Sequence, residues 1–422
     1  AFQRAHLLAK AIKLRETLVD PKYHLHLTKP ARLATYEIGA NYQAIADYDR
    51  AAEWYERFAA ENPKLSQAPE SLSDALVLRL GLGHLKLALR DAETFTKLFG
   101  RRQPAHAARI AFALGEHHAA RQEWVKAERR LVAAEAQIAR HASIDVRIRG
   151  WALMGRVKHK LEKHAAAAPY YAKAAKWADD TDGLKTKLAL LGGDEQAKSR
   201  RFGKVLEAVA EGLFYAAEKE RAQSDALSFP KFSGDRSVAG VKAFMTAKVN
   251  KWFALKVPAI KRANAAYLAI VKLNHGSPPP RWVIAGGAAV GNMWGAFVRD
   301  ALSAPYPKQW DQPGSIPGVA PATLWVELRA TFKAAIAQAV KPYRLKAKRA
   351  YTTCLELGII HQYFDHEIRT CERWLASNYP STYHLVDELH GKPTQKTGGV
   401  HRRPRPLDAN GKPTRSASAS KR

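Results

Sequence analysis

The sequence predicts an all-α chain: an array of helical hairpins, then a second helical region, then a basic tail. Three observations lead there. Alanine and leucine recur throughout while strand-like alternation of Val, Ile and Thr is scarce. A small-residue pattern repeats along the first 180 residues. Beyond it, apolar residues recur at helical spacing, as in Leu206, Val209, Leu213 and Phe214 or Val249, Trp252 and Phe253. With 422 residues and 46% hydrophobic content, the chain is long enough for two or three domains with a sizeable core.

The repeat is seen by laying the sequence against itself. One copy carries Ile38, Gly39, Tyr42, Ala51, Tyr55 and Pro63. A second carries Leu114, Gly115, His118, Ala127, Leu131 and Ala134. A third carries Trp151, Met154, Gly155, Lys158, Ala167, Tyr171 and Ala174. In each, an alanine follows the glycine by 12 positions, and an aromatic ring or leucine follows four later. Small residues let two helices approach closely, and the large one fills the groove between neighbouring pairs.

This pattern resembles the tetratricopeptide repeat, W-x-x-L-G-x-x-Y, A-x-x-x-F, P. The third copy departs at Lys158, where the family has Tyr, and lacks the closing Pro. The first has Thr35 in place of Trp, and the second is the most eroded. Between the first two copies, Ser73 to Gly100 holds Gly81, Gly83, Ala92 and Phe99. This stretch fits poorly and predicts a shortened or distorted hairpin. A generic helical bundle is the plainer alternative.

The resulting division is a leading helix or cap over 1–30, the repeat array over 31–180 and a linker over 181–200. A helical region over 201–275 follows, with a loop from Ser228 to Ser237. A Pro/Gly/Trp-rich loop segment covers 276–325, a helical hairpin region 326–385 and a disordered basic tail 386–422. Within the loop segment, Pro278-Pro279-Pro280 is expected to be extended. The run Ala285-Gly286-Gly287-Ala288-Ala289-Val290-Gly291 matches neither G-x-G-x-x-G nor G-x-x-x-x-G-K-[ST]. It reads as a surface for close helix packing.

The search for chemistry finds no site. H-E-x-x-H and G-x-S-x-G are absent, the histidine pairs His159/His164 and His361/His366 are spaced five apart, and Asp179, Asp180 and Asp182 lack the closing glutamate of a calcium loop. No enzyme activity, cofactor or metal is therefore expected. Two cysteines exclude a disulfide framework. Cys354 and Cys371 fall on opposite arms of a hairpin and are candidates for a disulfide if the protein is exported, or two buried thiols if it is cytosolic.

Charge shapes the expected partner. Lys and Arg number 68 against 39 Asp and Glu, a formal +29 spread along the chain with one denser run in the tail. Such a surface suits acidic protein segments, nucleic acid or anionic lipid. No apolar run approaches the ~20 residues of a membrane span. In a tetratricopeptide array the first helices line a groove for extended or helical peptides. The resemblance therefore makes Tyr36, Asn41, Tyr42, Arg109, Phe112, Arg156 and His159 the candidate partner-binding residues. The expected function is a protein-binding scaffold, with non-specific nucleic-acid binding as the alternative.

The second half is also similar to the C-terminal part of large envelope-associated tetratricopeptide proteins of myxobacteria. The matching stretches are Pro278 to Gly286, Met293-Trp294-Gly295, Tyr363-Phe364-Asp365 and Thr370-Cys371-Glu372. That resemblance implies a periplasmic or envelope-associated scaffold rather than a cytoplasmic one, and it tilts the cysteines towards the disulfide.

Overall fold

A computed structural model describes residue 3 and residues 7–318 and 324–385. The described residues are helical apart from turns, loops and one isolated bridge between Ser315 and Leu324. The tail expected over 386–422 lies outside them. The chain divides into Ala1–Cys371 and Glu372–Arg422.

A first helix, α1 (Leu8–Val19), precedes four hairpins. These are α2 (Lys29–Ala44) with α3 (Tyr48–Glu61), and α4 (Ala68–Gly81) with α5 (Leu85–Phe99). Next come α6 (Pro104–Ala120) with α7 (Trp124–Ala133) and α8 (Glu135–His141), then α9 (Ile144–Lys160) with α10 (His164–Ala175). Each start has a local cause. The Thr28 hydroxyl accepts from the Ala31 amide, Asp47 accepts from Arg50, and Pro69 and Pro104 occupy first-turn positions whose missing N–H is no loss.

The four joints share one geometry. The residue two before each second helix is left-handed: Ala46, Gly83, Gln122 and Glu162. In each, the next amide donates back to the first helix: Asp47 to the Tyr42 carbonyl, His84 to Arg79, Glu123 to His118 and Lys163 to Lys158, all at 2.8–2.9 Å. This closes the last turn of the first helix and turns the chain. Glycine is the residue suited to positive φ, yet only Gly83 supplies it.

The glycine signal has a direct packing cause. A Cβ on Gly39 would lie 2.7 Å from the Tyr55 ring, on Gly115 2.6 Å from Leu131, and on Gly155 2.9 Å from Tyr171. Each large side chain rests on the bare backbone opposite. The second hairpin corrects the sequence reading: α4 and α5 are neither shortened nor distorted. Its glycine position is taken by buried Leu76, Ala88 follows 12 later, and Ala92 stands where the others have a large residue. Large and small have exchanged sides, so Gly81 and Gly83 do not mark the register of this hairpin.

The linker expected over 181–200 is also corrected. It contains α11 (Thr181–Ala189), capped by Asp180 on the Gly183 amide, and only 190–194 is irregular before α12 (Glu195–Asp225), capped by Asp194 on Ala197. Then come the loop around 228–237, α13 (Val238–Phe244) and α14 (Asn250–Gly276). α14 loses helical dihedrals at Leu273–His275. The proposed loop segment 276–325 is largely a helix, α15 (Pro280–Leu302). Pro278 and Pro279 are extended as expected, but Pro280 opens the helix, where proline is well tolerated.

α16 (Trp325–His361) packs along α15. Its Tyr351 ring lies where a Cβ on Gly291 would sit at 2.7 Å, and Cys354 faces Gly287. The glycine run is thus a packing surface. Phe297, Trp252, Phe253, Trp294 and Tyr343 form one aromatic cluster with ring centroids 5.0–6.4 Å apart. After a left-handed Gln362, α17 (His366–Asn378) begins. Cys354 and Cys371 are joined by a disulfide, with Cα atoms 6.4 Å apart. In the second unit the chain leaves the helix at Asn378, and the Trp374 and Tyr379 rings lie 5.9 Å apart.

Candidate functional site

The candidate residues on the first helices have different fates. Tyr36 is half-buried between the Tyr55 and Phe58 rings, at 5.6 and 5.4 Å. Burial pushes its hydroxyl pKa up, and the carboxylates of Glu70 and Asp74 add to the effect. Asn41 and Tyr42 do not line an open groove, which corrects the expectation for both. Asn41 is 1% exposed and its Nδ2 has no hydrogen-bond partner among the described residues. Tyr42 is covered by α1, where its hydroxyl donates to Glu16 at 2.9 Å, and Arg50 lies 5.5 Å from its ring. The leading helix caps the first hairpin and takes the surface that a partner would use.

Arg109, Phe112 and Arg156 belong to a row of contacts that crosses from one first helix to the next. Arg109 on α6 donates to Asp74 on α4 at 2.8 Å. Arg149 on α9 donates to Glu116 on α6 at 2.7 Å, with its guanidinium 4.7 Å over the buried Phe112 ring. Arg156 on α9 grips Glu211 on α12 through two nitrogens, the Nε bond being 2.6 Å. Planar guanidinium–carboxylate forks of this kind fix orientation as well as charge. The Glu211 carboxylate holds the Arg156 guanidinium well above its ordinary value. His159 stands apart from this row. Its Nδ1 is 3.1 Å from that of His164 and its ring meets Tyr215 at 5.5 Å. Burial, followed by the His164 charge, lowers its pKa.

These contacts surround a cleft of about 350 Å³ between α6, α9, α12 and α15. Phe112 and Arg156 are brought together in it. Tyr36, Asn41, Tyr42, Arg109 and His159 are not among its lining residues. The other charged groups are Arg149, Glu116, Lys204, Glu207, Glu211 and Arg281, and Trp282 supplies a ring beside them. Arg281 lies 4.8 Å from the Trp282 ring. Burial raises the Glu207 carboxyl and Arg281 pulls it the other way. Arg149 and Arg156 have acidic partners, whereas Lys204 and Arg281 make no ion pair among the described residues. The cleft therefore presents two cations with no ion pair among the described residues, Lys204 and Arg281, beside an aromatic ring and the Glu207 carboxyl.

Sequence reasoning missed Lys204, Glu207 and Glu211 because it reads only the apolar stripe Leu206, Val209, Leu213 and Phe214 of α12. One signal was available. Glu207 and Glu211 interrupt the apolar run of Val205, Leu206, Val209, Ala210 and Gly212, and an acid on an apolar face needs a paired cation. Arg281 and Trp282 directly follow the proline run Pro278-Pro279-Pro280, and no local spacing places them against the array. The chain matches no protein-family model, and a search of curated proteins finds no match either.

Proposed function

We propose that this protein is a non-enzymatic scaffold of tetratricopeptide-like architecture that captures acidic segments of partner proteins. The single observation carrying the proposal is the cleft at the α6–α9–α12–α15 junction, where Lys204 and Arg281 make no ion pair among the described residues while the neighbouring arginines are committed. An acidic side chain entering there would find cations whose pairing requires no existing ion pair to break. The four hairpins with one shared joint support the repeat reading. The Cys354–Cys371 disulfide supports an oxidising, envelope-side location.

The test is fluorescence anisotropy with a labelled acidic peptide of about twelve residues on the intact chain. The Lys204→Glu/Arg281→Glu variant should bind at least tenfold more weakly, and raising salt from about 0.05 to 0.3 M should weaken the parent in the same direction. The formal +29 supports a second reading, non-specific nucleic-acid binding. In that case random duplex DNA would outcompete the peptide, and the double variant would bind DNA as the parent does.

A further inference from the structure

We infer that a second hollow, on the far half of the molecule, takes a free single-chain amphiphile with an anionic head. α14 and α16 both pack on α15, and between them lies a cavity of about 410 Å³. That volume is in the range of small-molecule pockets. Its floor is α15, where Val283, Val290 and Trp294 make it apolar beside Gly286 and Gly287, on which Tyr267 and Cys354 pack. Leu268 and Val271 of α14 add a wall that is 47% and 41% exposed. Its charged lining residues are Lys261, Lys346 and Arg349, with no carboxylate among them. Lys346 Nζ sits 4.9 Å from the Trp294 centroid, between the apolar floor and solvent. None of the three cations makes an ion pair among the described residues.

An apolar trough bordered by unpaired cations is complementary to an aliphatic chain ending in a carboxylate. Size decides against a docked helix. One helical turn, about 10 Å wide and 5.4 Å long, already occupies about 420 Å³, so the hollow would hold a single turn and leave the rest without a surface. Buried methylenes should each contribute about fourfold to affinity, so chain length is the most direct readout.

The experiment is calorimetric titration of the full chain with laurate, octanoate, dodecyltrimethylammonium and an acidic leucine-rich peptide, all below micelle formation. Saturable one-to-one laurate binding is expected. Octanoate should bind on the order of a hundredfold more weakly, and the cationic amphiphile at least tenfold more weakly. Leu268→Asp/Val271→Asp and, separately, Lys346→Glu/Arg349→Glu should each cost laurate at least tenfold. The substituted side chains are exposed, and circular dichroism verifies that the fold is kept. Equal binding of the cationic and anionic amphiphiles, laurate affinity unchanged in both variants, no laurate binding, or tighter binding of the peptide with the same variant sensitivity would each overturn the inference.

Discussion

The hairpin array at 29–175 and the long-helix region at 195–361 use the same device at different ranges. In both, a glycine lies against a large side chain. In the array that side chain is 16 residues away: Gly39 and Tyr55, Gly115 and Leu131, Gly155 and Tyr171. In the second region Gly291 meets Tyr351 and Gly287 meets Cys354, some 60 residues on. The array is therefore assembled from local pairs, each of which touches its neighbour. The second region depends on pairings between helices of 23 to 37 residues that are remote in sequence. Its aromatic cluster draws on α14, α15 and α16 together, so a defect there should spread further than one in a single hairpin.

The largest effect expected is from Phe297→Ala. Phe297 is fully buried and meets four rings, so truncation should cost about 3–5 kcal/mol in urea unfolding. Hydrogen exchange should accelerate across α14, α15 and α16 at once. Acceleration restricted to α15 would break the contrast between the regions.

Next comes Asp91, within the array. Burial, followed by the neighbouring Glu56 carboxylate, pushes its pKa up to about 7. The folded state then holds a proton that the unfolded chain releases near the ordinary carboxylate value of 3.8. Stability from this group is complete below that value, declines as pH rises and is lost above about 7. Asp91→Asn should therefore gain on the order of 2 kcal/mol at pH 8 and almost nothing at pH 4, read from urea midpoints at both. A gain at pH 4 as large as at pH 8 would remove the protonation account.

The smallest effect is from Gly155→Ala. Its Cβ would sit 2.9 Å from the Tyr171 ring, and overpacking should outweigh the gain in helix propensity by about 1 kcal/mol. Faster exchange should stay within α9 and α10. Its spread into α15 would show that the array is less modular than its contacts imply.

The same difference in range explains what could be read from the sequence. Helical content and three of the four hairpins were legible because Gly39, Gly115 and Gly155 lie at fixed distances from their partners. The α4–α5 hairpin was misread because Leu76 and Ala92 carry the same complementarity with sizes exchanged, which a search for glycine cannot see. α15 is illegible as a helix in the sequence because prolines and glycines dominate its start. Their meaning depends on α16, whose Tyr351 and Cys354 use those glycines. The cleft was half legible: Phe112 and Arg156 come from the repeat, while Lys204, Glu211 and Arg281 reach it through packing that no local spacing encodes. Tyr42 was illegible as a covered residue because nothing in its own hairpin announces that the preceding helix packs on it.

The shared left-handed joint has a consequence for how such a chain can change length. Gln122 and Glu162 occupy equivalent points with the same backbone hand and the same amide-to-carbonyl closure. Excising the forty residues between those points would reconnect a second helix to a first helix through an unchanged corner, with Gly115 then facing Tyr171. Duplication or loss of whole units is open to this half of the gene, whereas any cut inside α14–α16 leaves a ring or a glycine without its counterpart.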